Sequence, residues 1–133
     1  METWKVYYEE GLAYSKTVVG AKAKGKKLGN AVMYNLIGLS LEGMLTALIM
    51  KEDDLPEHSS VGSMLRLLRS TYEVPESFKD EVRFFNRFSN LCALYDAVLP
   101  DPNDDEIDRM IVFMENVKAW VNQNLELGPK VLS

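Results

Sequence analysis

Glu42 lies inside the most apolar run of this chain, where a carboxylate must reach water, a partner or a ligand. At about 100° per residue, Asn35, Glu42 and Thr46 fall on one narrow stripe of a helix, with Leu39 beside them. An amide and a carboxylate on such a stripe can line a cleft between helices and hydrogen-bond a small polar ligand. A wet helix edge, or a pairing of Glu42 with a structural Arg or Lys, explains the same residues without a ligand. His58 is the one histidine and sits in a Pro-Glu-His-Ser-Ser turn at a helix start. It can pack or hydrogen-bond near the cap, whereas catalysis would need a positioned partner that the sequence does not display. Arg83 and Arg87 are four residues apart on a polar helix face, with Asn90 a turn further on. Lys22, Lys24, Lys26 and Lys27 crowd an early turn. Both basic groups have the chemistry for phosphates or RNA, and a solvated face also accounts for them.

Other chemistries find little support. A lone His58 gives no His-His metal pair, and the lone Cys92 gives neither a disulfide framework nor a Cys-rich zinc site. No metal and no cofactor is therefore expected. Ser40, Ser59 and Ser60 show no sign of nucleophile activation, and no P-loop or GxGxxG stretch is present. A formal net charge of -5 argues against nucleic-acid binding over the whole surface and leaves room for a local basic patch. The charged, aromatic N-terminal residues do not resemble a signal peptide, and the single cysteine suits a reducing compartment, so a cytoplasmic protein is expected. The apolar stretch 36–50, broken by Ser40, Glu42 and Thr46, reads as too short and polar to cross a bilayer.

The elements that would position these residues are helices. Trp4, Tyr7, Tyr8, Gly11, Leu12, Ser15, Val18 and Val19 recur at i, i+3, i+4 and predict a first helix ending near residues 23–25, before a turn bracketed by Gly25 and Gly29. A second helix over 28–50 is apolar nearly all round and belongs at the centre of a bundle. Gly38 and Gly43 within it imply close approach of a neighbour, since each weakens a helix by about 1 kcal/mol relative to Ala. Pro56 ends it, and Ser59 or Ser60 caps a short third helix with Val61, Met64, Leu65 and Leu68 buried. After Pro75, Ser77 opens a fourth helix whose stripe of Phe78, Val82, Phe85, Phe88, Cys92 and Tyr95 predicts a long element. Pro100 and Pro102 flank the next turn. Asn103 and Glu106 have capping-box spacing for a last helix, with Ile107, Met110, Ile111, Met114, Val117, Val121 and Leu125 inward, stopped by Gly128-Pro129. The expectation is one all-α domain over residues 1–133: an antiparallel four-helix bundle with an additional short helix.

Several stretches of the chain resemble the HEPN superfamily, the nucleotide-binding domains of higher eukaryotes and prokaryotes. They are Ser40-Leu41-Glu42-Gly43-Met44-Leu45 in the apolar second helix, Leu55-Pro56-Glu57-His58 before a Leu-rich helix, and Leu94-Tyr95 ahead of a Pro/Asp turn and a final amphipathic helix. The resemblance implies the five-helix plan and a nucleotide or a nucleotidyltransferase-type protein as partner. Nuclease members carry an Arg four to six residues before a His. Here Asp54, Asp53 and Glu52 occupy those places before His58, and Val98-Leu99-Pro100 replaces the usual Arg-Tyr-Pro. Ribonuclease activity is therefore not carried over, and a non-catalytic binding module is the expectation. Its rivals are an atypical ribonuclease or nucleotide-handling enzyme using Glu42, His58 and Arg83 or Arg87, and a purely structural scaffold. The apolar surplus of the second and fourth helices predicts a dimer in which some of Leu41, Phe84, Leu91 and Leu94 are covered by the second chain.

Overall fold

The structure, a computed structural model, describes residues 3–25, 28–52, 60–88 and 101–127. Those residues form five helices and no strand: α1 (Thr3–Ala23), α2 (Asn30–Lys51), α3 (Val61–Leu68), α4 (Ser77–Asn86) and α5 (Asp104–Leu127). Local signals explain most of the boundaries. Gly25, at φ +85°, turns the chain after α1 in the left-handed conformation that glycine adopts without a Cβ penalty. The Ser60 hydroxyl accepts from the Ser63 amide and caps α3. The box at the start of α5 is reciprocal: Asn103 Oδ1 accepts the Glu106 amide at 2.8 Å, and Glu106 Oε1 accepts the Asn103 amide at 2.9 Å. Three acids fill the first turn of α5, where the helix dipole favours negative charge.

Contacts between the long helices fix their directions. From one end of α1 to the other, Tyr8 meets Asn122, Ser15 meets Glu115, and Lys22 pairs with Asp108, so α1 and α5 run antiparallel. Asn30 bonds Pro102 and Asp104 at one end of α2, while Lys51 bonds the Leu125 carbonyl at the other, so α2 and α5 run the same way. The α1–α2 crossing is very close. A Cβ on Gly11 would stand 2.8 Å from Met44 Cγ and 3.0 Å from the Ser40 carbonyl, and one on Gly43 would stand 3.0 Å from Gly11 Cα. Ser40 then donates to the Gly11 carbonyl at 2.8 Å, satisfying a hydroxyl that is fully buried. The close approach expected at Gly43 is present; at Gly38 the neighbour is only the rim of the Phe85 ring at 3.4 Å.

α2 threads the core. Met33, Ile37, Leu41, Met44, Leu45 and Leu48 are fully buried against Val18, Met64, Phe78, Ile107, Met114 and Val117. At 22 residues it extends beyond the apolar stretch the sequence marks, and by length and composition it could cross a membrane, although half of its apolar window lies inside the fold. α3 and α4 pack as a short pair whose outer ends are tied down. The Tyr72 hydroxyl donates to Glu52 at 2.8 Å, Trp120 Nε1 donates to the Glu73 carbonyl at 2.9 Å, and Arg109 forks onto Glu81.

Three expectations change. α4 ends at Asn86, followed by a turn at Arg87 and Phe88, so it is shorter than the predicted aromatic stripe; Cys92 and Tyr95 lie outside the described residues. The buried face of α5 includes Phe113 and Trp120, whereas Ile111 and Leu125 are only half-buried. Leu41 and Phe84 are already buried within the single chain, Phe84 beneath the Arg109 guanidinium at 3.9 Å, and so are not available to a second copy. Leu91, Leu94 and the Gly128-Pro129 stop are outside the described residues.

Candidate functional site

The polar stripe of α2 opens into a groove of about 440 Å³ between α2, the start of α3 and the end of α4. Tyr34, Asn35, Leu39 and Glu42 form the α2 wall, Ser60 and Val61 the α3 edge, and Phe85 and Asn86 the α4 side. Its floor is fixed by aromatic packing. The Tyr34 ring stacks on Phe85 with centroids 4.6 Å apart, and its hydroxyl donates to the Phe85 carbonyl at 2.9 Å. Burial pushes the Tyr34 phenol up to about 12, so it holds its proton and its orientation across the working range of pH.

Glu42 is the half-buried acid of this groove. It makes no hydrogen bond or ion pair among the described residues, and burial raises its carboxyl above the ordinary glutamate value. The lower end of the same stripe is closed: Thr46 donates to the Met64 sulfur at 3.4 Å. Of the two explanations open for Glu42, pairing with a structural cation is not what the described residues show. A carboxylate flanked by two amides and an aromatic wall can accept two N–H donors from one edge of a planar ligand. Among the described residues, Glu42 is the one charged side chain that lines the groove.

The predicted site residues therefore divide. Asn35 and Glu42 come together. Arg83 lines a separate cleft of about 250 Å³ between α3 and α4, with Gly62, Arg66, Arg69, Phe78, Lys79 and Val82. Arg87 lines neither cleft and lies over the Phe84 ring at 5.8 Å. His58 lies outside the described residues. Asn86 lines both clefts and connects them; from sequence it is one more residue of the polar face of α4, and Arg66 and Arg69 are not singled out as a site. A signal for the arginines was available: Arg66 and Arg69 are three apart and flank the apolar positions of a short amphipathic helix. No group of three or more metal-ligating side chains occurs among the described residues. Compared with known proteins, the chain matches no family profile, no curated sequence and no solved structure.

Proposed function

We propose that this chain is a non-catalytic binding module of HEPN-like plan whose α2–α3–α4 groove receives the base of a nucleotide. In this reading α1, α2, α4 and α5 are the four legs of an antiparallel bundle and α3 is the additional short helix. The run directions of α1, α2 and α5 support that plan. The observation that carries the ligand is Glu42: a half-buried carboxylate without a protein partner among the described residues, sharing its groove with Asn35 and Asn86. The groove volume of about 440 Å³ is within the small-ligand range of roughly 300–1,000 Å³.

The chemistry favours guanine. An ionised carboxylate only accepts hydrogen bonds, and guanine presents two adjacent donors, N1–H and the 2-amino group, on one edge. Adenine places an acceptor nitrogen beside its amino group, and that lone pair would face a carboxylate oxygen. Titration calorimetry with the unphosphorylated nucleosides tests this directly. Guanosine should bind at least about tenfold more tightly than adenosine, the scale of one bidentate pair, and Glu42→Gln should abolish the preference. Equal binding of the two nucleosides, or binding of neither, overturns the reading.

Catalysis would require Glu42, His58 and Arg83 or Arg87 to converge. Arg83 lines another cleft and Arg87 packs on Phe84, so binding is the function that the geometry favours. A nucleotidyltransferase-type protein is the partner implied by the HEPN resemblance. A homodimer, read by sedimentation at micromolar concentration, would have to use surface other than Leu41 and Phe84.

A further inference from the structure

Four of the chain's 15 lysines and arginines line the cleft between α3 and α4, although the net charge is -5. Arg66 reaches it from α3 and Arg69 from the cap that follows, Lys79 and Arg83 from α4. Two of the four are partly offset by acids three residues before them: Glu76 pairs with Lys79 at 3.1 Å, and Asp80 sits 3.7 Å from Arg83. Arg66 and Arg69 are exposed and have no ion pair among the described residues. The two walls come within van der Waals reach at Gly62, where a Cβ would stand 3.4 Å from Val82 and 3.8 Å from Asn86 Nδ2. Leu65, Phe78 and Val82 give it an apolar floor, which lowers the local dielectric beneath the guanidinium groups and strengthens their pull on an anion.

We propose that this cleft binds a chain of phosphate groups, with Arg66 and Arg69 as its principal ligands. Successive cations along both walls match an extended polyanion better than a single carboxylate, and arginine forks suit phosphate oxygens. Because Asn86 joins the cleft to the Glu42 groove, the chain can be that of a nucleotide seated there. The cleft does not depend on that reading, since free polyphosphate has the same chemistry.

Titration with tripolyphosphate at low ionic strength tests the site without any base. One-to-one binding is expected, weakened about tenfold by Arg66→Ala or by Arg69→Ala, the scale of one charge-assisted hydrogen bond, and further by added salt. No binding, or binding that the arginine variants leave unchanged, overturns the proposal. Both arginines are exposed, so folding of the variants is expected and is read from their thermal transitions. Guanosine triphosphate identifies the source of the phosphates. Binding tighter than that of tripolyphosphate, with the gain lost in Glu42→Gln, assigns the chain to a nucleotide; equal affinity for both assigns it to free polyphosphate. If guanosine itself does not bind while tripolyphosphate does, the groove reading falls and the phosphate cleft stands.

Discussion

Glu42 carries a burial cost that no partner among the described residues relieves. Burial disfavours its charged form, so the folded chain binds the Glu42 proton more tightly than the unfolded chain does. The sign of the pH effect follows. Where the native state binds more protons, stability falls as pH rises, so this contribution is complete below the unfolded carboxyl value and is lost as pH rises through the raised one. Glu42→Gln keeps the shape and removes the charge. The variant should therefore unfold at a higher temperature than the parent near pH 7, with the gap closing towards about pH 4, where Glu42 is increasingly protonated. A variant less stable at neutral pH would mean that the carboxylate has a stabilising partner. Retaining a destabilising acid at a groove is the pattern expected where a residue serves binding rather than the fold.

At the scale of elements, the α1–α2 crossing shows how small residues set geometry. Gly11 and Gly43 bring two backbones together, and Ser40 uses the proximity to satisfy its hydroxyl on the Gly11 carbonyl. A methyl at Gly11 meets Met44 and the Ser40 carbonyl, and the latter is backbone that cannot swing away. Gly11→Ala should cost about 1–3 kcal/mol by overpacking. Gly20 lies in the same helix with nothing within 4 Å of its Cβ position, so Gly20→Ala should instead gain up to about 1 kcal/mol through helix propensity. Thermal unfolding distinguishes them: opposite shifts of about 3–5 °C per kcal/mol are expected for a chain of this length, and shifts of one sign would contradict the crossing geometry. The same contrast shows what sequence can reveal. Glycine spacing marked Gly43, and capping chemistry marked Asn103 and Glu106, because those signals are local. The stripe of Asn35 and Glu42 followed from helix period alone. Asn86 and the cleft of Arg66, Arg69 and Lys79 did not, because they are assembled by the α3–α4 pairing, which no local periodicity encodes. Trp120 was passed over for a related reason: its ring packs edge-on to Phe78 and Tyr72, and its indole N–H finds the Glu73 carbonyl across the fold.

For the whole molecule, the long helices and the short pair contribute unequally to stability. α1, α2 and α5 share the deepest part of the core; Tyr8–Asn122, Ser15–Glu115 and Lys22–Asp108 join α1 to α5 along their lengths, and Ser40, Asn30 and Lys51 tie α2 to both. α3 and α4 span 8 and 10 residues and are held mainly by one apolar face each, with tethers at Tyr72, Trp120, Tyr34 and Arg109. Helices this short have little stability of their own and depend on that face staying covered. Both clefts lie against this pair, so ligand binding and local opening involve the same elements. Native-state hydrogen exchange should therefore show α3 and α4 amides exchanging through local opening, well before the amides of α2 and the middle of α5. Guanosine, which bridges α2 to the start of α3 and the end of α4 in the proposed complex, should slow exchange at Val61–Leu68 and Ser77–Asn86 and leave α1 unchanged. Uniform protection across all five helices without ligand would show a single cooperative unit. The weakly held pair would then be excluded as the mobile wall of the site.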